Sequence, residues 1–284
     1  MKKLLWGSLI GLTWCLLPLA VQAAIPAIQV APLEYRDTLT GATSKLGFVD
    51  VANPTDATVM LHSSVEAFRQ INLDGDLQFY HDDAVAAGIT VSATDLQLSA
   101  READRIAFTI DPQKLPKGGV YAAIFFATVP DTTAAKGNVI AQSARAGTLL
   151  ILDNGGAGKK VGDISKLQLP LFQFGNELAG TIYYANTGLA PTGIAYNPTL
   201  AIRVSWWGHK TYLNGSLVMP GNTRKFAFAK PGSYLGIIPV VLTDSTTGHQ
   251  TVRFVLAVTG WWRVVFGLLV VGVIVVASRR WRKK

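Results

Sequence analysis

Cysteine is nearly missing from this 284-residue chain: the one present, Cys15, lies in an apolar N-terminal stretch, and none follows it. Thiolate metal sites, cysteine nucleophiles and disulfides are thereby excluded from residues 24–259, which must be held together by burial. Exported domains without cysteine are unusual where oxidative folding is routine, so a bacterial envelope is the expected home. Histidine is scarce as well. His62, His81, His209 and His249 are scattered, and neither H-E-x-x-H nor G-x-S-x-G occurs, so no enzyme is expected. Long helical periods are missing until the last two dozen residues.

Those last residues carry the strongest signal. Val264 to Ala277 is wholly apolar; Trp261 and Trp262 precede it, and Arg279, Arg280, Trp281, Arg282, Lys283 and Lys284 follow. In hydrocarbon the backbone must satisfy its own hydrogen bonds, so such a run spans as a helix. From 261 to 278 it is about 27 Å long at ~1.5 Å per residue, close to the ~30 Å bilayer core. The tryptophans suit the outer interface, and the cationic tail, 279–284, stays in the cytoplasm. At the other end, Lys2 and Lys3 precede apolar Leu4 to Leu19, and Val21-Gln22-Ala23 offers small residues for cleavage. The expected arrangement is a signal peptide, 1–23, an outer body, and a single-pass span in the cell membrane.

The formal charge of +8 belongs to the ends. Residues 24–259 hold 18 Lys or Arg and 18 Asp or Glu. The basic pI therefore gives no reason to expect nucleic acid. Within that body residues 24–153 carry nine cations and fifteen anions, whereas residues 154–259 carry nine and three. The basic half stands nearest the membrane and suits anionic headgroups or wall polyanions.

Alternation with period two dominates the body. Val49 and Val51 alternate with Phe48 and Asp50; Asn53-Pro54-Thr55-Asp56 turns the chain; Leu61, Ser63 and Val65 mark the next face. Tyr121 to Val129 reads as a central strand covered on both sides. Leu200, Ile202, Val204 and Trp206 define another face, and Asn214-Gly215 signals a tight hairpin. The fold class expected is all-β: two immunoglobulin-like β-sandwich domains plus a single C-terminal transmembrane α-helix. Their spans are 24–153, with an inserted loop at about 68–95, and 164–259. Between them, 154–163 is a glycine-rich linker. Its Gly-Lys string lacks the first glycine and the final Ser or Thr of a phosphate loop, so no nucleotide is expected.

An internal echo joins the two units. Lys117-Gly118-Gly119-Val120-Tyr121-Ala122-Ala123-Ile124 and Lys230-Pro231-Gly232-Ser233-Tyr234-Leu235-Gly236-Ile237 share K-x-G-x-Y-x-x-I, and each follows an Ala-Asn pair, Ala52-Asn53 or Ala185-Asn186. Two copies of one plan are implied, the first with about 20 extra residues. Tyr121 and Tyr234 stand where a tyrosine corner would bond back to upstream backbone.

Three stretches could bind something. Asn72, Asp74, Asp76 and Asp83 partly match a calcium loop, though Leu77 stands where glycine is needed; a solvated Asp-Gly turn is the plainer reading, and no other cofactor is expected. Trp207, next to Trp206 on an alternating strand and near Tyr212, would face away from the core and could stack on sugars or anchor a partner. Leu256-Ala257-Val258-Thr259-Gly260 resembles a sortase sorting signal, with Ala in place of the usual Pro; cleavage would need an accessible extended peptide.

The strings Asp50-Val51-Ala52-Asn53-Pro54-Thr55-Asp56 and Leu115-Pro116-Lys117-Gly118-Gly119-Val120-Tyr121, with the order of parts, resemble cell-surface proteins that pair a WxL-protein peptidoglycan-binding domain with a second sandwich. That resemblance implies wall association through the first domain and partner binding through the second. The first-domain pattern is also similar to the N-terminal sandwich of periplasmic pilus chaperones. The expected function is non-enzymatic binding of wall polymer or another surface protein; the alternative is an assembly factor lending a strand edge to subunits.

Overall fold

The computed structural model describes residues 28–129 and 143–281. The signal peptide with Cys15, and the tail residues Arg282, Lys283 and Lys284, lie outside the described residues.

Two β-sandwiches follow one another. In the first, one sheet runs β1 (Gln29–Ala31), β3 (Lys45–Ala52), β8 (Ala103–Ile110), β6 (Ile89–Val91). The facing sheet runs β2 (Glu34–Leu39), β10 (Arg145–Asn154), β9 (Gly118–Thr128), β4 (Val59–Gln70), β5 (Leu77–Tyr80), with β7 (Asp95–Leu98) also on β4. A short helix, α1 (Asp83–Gly88), capped by the Asp82 carboxylate, sits between β5 and β6. The alternation read from sequence is the packing: Val49, Val51, Leu61, Phe108 and Phe126 are buried, and Phe48 and Asp50 face out.

The second sandwich has β11 (Gly162–Gln168), β13 (Glu177–Asn186) and β16 (Thr223–Pro231) in one sheet. Its other sheet runs β12 (Phe172–Gly175), β18 (Gln250–Thr259), β17 (Leu235–Asp244), β14 (Leu200–Val204), β15 (Lys210–Tyr212). In both units the first strand crosses from one sheet to the other. So β2 pairs β10 in parallel and β12 pairs β18 in parallel. The extra elements of the first copy are α1, β6 and β7; β5 pairs β4 as β15 pairs β14.

The echoed residues hold equivalent places. Asn53 and Asn186, each 1% exposed, end β3's exit and β13. Asn53 Nδ2 donates to the carbonyls of Ala57 and Ser99, and its Oδ1 accepts from Thr55 N at 3.0 Å. Asn186 Nδ2 donates to those of Ile194 and Val218, and its Oδ1 accepts from Gly188 N at 3.1 Å. Each side-chain amide thus replaces ladder partners that the turning backbone has lost. The glycines of G-x-Y lie two residues before the tyrosine, Gly119 with Tyr121 on one face of β9 and Gly232 with Tyr234 in the connection between β16 and β17. A Cβ at Gly119 would meet Tyr121 Oη at 2.2 Å, and one at Gly232 would meet the Tyr234 ring at 2.6 Å. The glycine is the bed on which the ring lies.

Two expectations fail in the second sandwich. Asn214-Gly215 forms no two-residue hairpin: β15 belongs to one sheet and β16 to the other, so the chain must cross the sandwich through irregular backbone. The hairpin lies at 205–209 instead, where Ser205 takes a positive φ of 67°. Consequently β14 stops at Val204, and Trp206 and Trp207 belong to a turn rather than to an alternating strand.

Beyond Gly260 the chain forms α2 (Trp262–Trp281), 20 residues long, about 30 Å at ~1.5 Å per residue. Its 18-residue window has a mean hydropathy of 1.9, and none of that window is buried against the body. It is the one helix among the described residues long and apolar enough to cross a membrane. Arg279 and Arg280 fall in its last turn, and the Trp261 and Trp262 rings stack at 3.9 Å.

Candidate functional site

The sandwiches meet across a small buried core of Phe68, Ile151, Ala195 and Met219. Polar contacts fix the junction. Ala195 N donates to Tyr121 Oη at 2.8 Å, Gln70 Nε2 donates to Thr223 O at 2.9 Å, and Met219 N donates to Gln70 Oε1 at 3.3 Å. Burial, only partly offset by the Ala195 N–H, pushes the Tyr121 phenol up to about 12. The β4–β5 turn reaches onto β16: Lys225 N donates to Leu73 O at 2.7 Å, Lys225 Nζ pairs with Asp74 at 2.8 Å, and the Arg224 guanidinium covers Gly75. Part of the basic half therefore faces the acidic half.

Beside this junction a hollow of about 400 Å³ is lined by Arg36, Asp37, Asp153, Lys160 and Ile194. Arg36 bonds Glu34 and, across the junction, Asn197 Oδ1 at 3.1 Å. Asp153 Oδ2 accepts from Gly158 N at 2.9 Å, while its buried Oδ1 has no partner among the described residues. Burial alone would raise the Asp37 carboxyl, but the hydrogen-bonded Lys45 ammonium, the Thr38 N–H and Tyr35 bring it below the usual carboxylate range.

The β10 strand leads from this cleft to an edge that is open among the described residues. On one side it pairs β9 over its whole length; on the other, β2 covers only Leu149 to Asn154. Thr148 Oγ1 donates to Pro32 O at 2.6 Å and Leu149 N to Leu33 O at 3.0 Å, and there β1 leaves for the other sheet. Backbone groups alternate sides along a strand, so those of Gly147 and Arg145 share Leu149's side and meet no strand among the described residues. Next to them a hollow of about 500 Å³ is lined by Ile28, Val30, Leu33, Asp50 and Ala146. An unpaired edge beside an apolar hollow can take an extended chain, with backbone bonds from the edge and one side chain in the hollow.

The residues singled out from sequence fall elsewhere. Asn72 and Asp76 are brought together, Asn72 Nδ2 donating to Asp76 Oδ2 at 2.7 Å. Asp74 is drawn to Lys225, and Asp83 stands on α1 beside His81. Among the described residues no three His, Cys, Asp or Glu side chains converge on a metal site. The four residues of the calcium-loop match are thus held apart as a set: Asp74 pairs with Lys225, Asp76 bonds Asn72, and Asp83 pairs with His81. Trp207 is 91% exposed and Tyr212 63%, on the β14–β15 hairpin. Tyr121 bonds across the junction rather than to its own upstream backbone, and Tyr234 lies on Gly232. The sorting-signal reading also needs correction. Leu256–Thr259 is paired within β18, and fully buried Thr259 bonds Gly232 O and Tyr234 N, so no extended peptide is accessible. The linker is tied on both sides, by Gly158 N to Asp153 and by Lys159 N to Thr192 O. Sequence reasoning missed Arg36, Asp153, Lys160 and the open edge; Lys160 at the end of the Gly-Lys string was the one local signal.

No family model and no curated protein matches the chain. Among solved structures it is similar to the class 5 fimbriae chaperone CfaA, at 14% identity and a TM-score of 0.42, over 81% of this chain and 99% of that one. A chain of the CsuC–CsuE chaperone–tip subunit complex of archaic Csu pili from Acinetobacter baumannii gives 14% and 0.42, over 81% and 98%. A chain of the Salmonella enterica SafA pilin–SafB chaperone complex gives 16% and 0.39, over 83% and 98%. The likeness to WxL-type wall proteins finds no support in these comparisons. The solved structures named here are a pilus chaperone or complexes that hold one, all at TM-scores below 0.5.

Proposed function

We propose that this chain is a non-catalytic envelope assembly factor, anchored by α2 with its sandwiches outside, which takes an extended segment of a folding partner along the open half of β10. One observation carries the proposal: β2 releases β10 at Leu149, so among the described residues Arg145 and Gly147 offer backbone donors and acceptors beside a side-chain hollow. Strand addition draws affinity from such main-chain bonds and specificity from such a hollow. Orientation follows from the cations Arg279 and Arg280 in the last helical turn, which favour the cytoplasmic side. Two of the structures named above are complexes, one of a chaperone with a tip subunit and one of a chaperone with a pilin. The edge, not that likeness, supports the proposal.

The test is photo-crosslinking of the full chain in membranes, with a benzophenone amino acid at Ala146 and, as control, at exposed Asp104. Protein adducts at Ala146 alone, mapping to extended segments of unassembled envelope subunits, are expected. Equal labelling at both sites, or none at Ala146, refutes it.

A second reading, binding of wall polymer or a surface protein through the β14–β15 hairpin, is favoured by the exposure of Trp207 and Tyr212. Trp207→Ala should then abolish retention on purified wall; unchanged retention removes this reading.

A further inference from the structure

The outer face of the second sandwich's five-stranded sheet is apolar where a soluble protein would be polar. Phe172 and Phe174 of β12, Phe254 and Leu256 of β18, and Leu235 and Ile237 of β17 are all about half exposed or more, Ile237 reaching 73%. Strand register makes them one patch. Phe172 stands beside Leu256 and Leu256 beside Ile237; Leu235 and Phe174 both flank Val258. Trp206 extends it by packing edge-on to Phe254 at 6.4 Å. A contiguous patch of this kind marks an interaction surface.

The patch is graded toward the helix. Farther from α2, beyond Val241 and Val252, the outward residues of β17 and β18 are Thr243 and Gln250, and Arg203 and Lys210 stand beside Val241 on β14 and β15. Nearer, β18 ends at Thr259 and α2 begins at Trp262, with no spacer. Gly260 N donates to Gly175 O at 2.8 Å, tying the exit to β12. Arg263, in the first turn of α2, lines one hollow with Phe172, Phe174 and Glu177. Lys166 and Arg253 line another with Leu171 and Phe254. Aromatic and aliphatic side chains rimmed by cations, at the mouth of an apolar helix, match the headgroup layer of an anionic bilayer.

We infer that this sheet face lies against the lipid headgroups of the membrane that α2 enters. The inference rests on the proposed membrane span of α2. From the level of Val258 to that of Phe254 the patch is about 14 Å long at ~3.4 Å per residue, roughly twice one headgroup layer, so the sheet rests at a slant. The second sandwich is thereby held in one orientation by two contacts, a span and a face.

The test uses the full chain with Cys15→Ser, reconstituted in mixed phosphatidylethanolamine and phosphatidylglycerol vesicles. Spin labels are placed singly through Phe172→Cys, Ile237→Cys, Val270→Cys in α2 and Ala227→Cys on the opposite sheet. Accessibility to oxygen and to an aqueous nickel chelate is read for each. Labels at 172 and 237 should be severalfold less nickel-accessible than the one at 227, with oxygen access between those at 227 and 270. If they match the label at 227 while that at 270 is in lipid, the face is free in water: the inference fails and the anchor stands. If they are shielded from both reagents, a protein covers the face, and the inference also fails. A nickel-accessible label at 270 removes the anchor, and the inference with it.

Discussion

Replacing Tyr121 by Phe tests whether the two sandwiches unfold as one body. The ring would keep its place against Phe68, whose centroid lies 6.0 Å away, and only the phenol would go. Ala195 is 2% exposed, and its N–H would lose the acceptor that Tyr121 supplies. A buried donor left unpaired costs about 1–3 kcal/mol. For a body of this size each kcal/mol lowers Tm by about 2–4 °C. The variant should therefore melt several degrees lower at neutral pH, still in a single transition. Alkaline pH supplies the sign. Burial raises the phenol to about 12 from the ordinary 10.0, so the folded state prefers the protonated form. Its contribution is complete below pH 10 and is lost as pH rises through about 12. At about 1.4 kcal/mol per pH unit the loss is about 3 kcal/mol, enough to close or reverse the gap between wild type and variant. Calorimetry of residues 28–259 in both forms, from neutral pH to pH 12, gives the measurement. A gap that is absent at neutral pH, or constant through the alkaline range, refutes the account of the junction; so does separate melting of the two units.

Gly119→Ala should destabilise by about 1–3 kcal/mol, since its Cβ would meet Tyr121 Oη at 2.2 Å while that oxygen is held by Ala195; thermal unfolding reads it. Tyr184→Phe removes the 2.7 Å donor to the fully buried Asp244 carboxylate and should lower the denaturant midpoint by an amount equivalent to about 1–3 kcal/mol, with m unchanged. Lys225→Glu sets like charges on β16 and the β4–β5 turn and should increase protease cleavage near Asp74. Adding Asp74→Lys should reverse that increase if the pair at 2.8 Å orients the turn.

The strands were legible wherever one face is buried, because alternation is then the direct imprint of packing. The duplication was legible for a physical reason too. A buried asparagine that satisfies a turn, and a glycine under a tyrosine, are each hard to replace, so Asn53 with Asn186 and Gly119 with Gly232 survive as matching letters. Trp206 misled because the alternation that ends at Val204 continues by accident into a turn. Apart from Lys160, the candidate site left no local trace. Its open edge depends on how much of β10 is covered by β2, a matter of contacts such as Thr148 with Pro32, 116 residues apart. The junction is as distant in sequence: Gln70 meets Thr223 across 153 residues. Periodicity reports which face of a strand is buried, but not which of its edges is paired.

The opposite charges of the two sandwiches bear on how that edge is held. Exposed pairs such as Asp74 with Lys225 contribute little to stability, and buried neutral contacts at Gln70 and Tyr121 already hold the junction. What charge complementarity adds is selectivity among dockings: like charges facing one another would penalise alternatives, whereas apolar contact alone tolerates sliding. A fixed junction matters only if something must be presented in a fixed direction. In the proposed arrangement α2 holds the second sandwich at the membrane; the junction would then set the direction of β10's open edge, and a partner segment would meet that edge at a constant height and angle. The arrangement predicts that loosening the junction impairs capture at Ala146 even when the edge itself is unaltered. Lys225→Glu and Tyr121→Phe together should therefore reduce the Ala146 adducts more than either alone; undiminished crosslinking from the double variant would show that the edge works independently of the second sandwich.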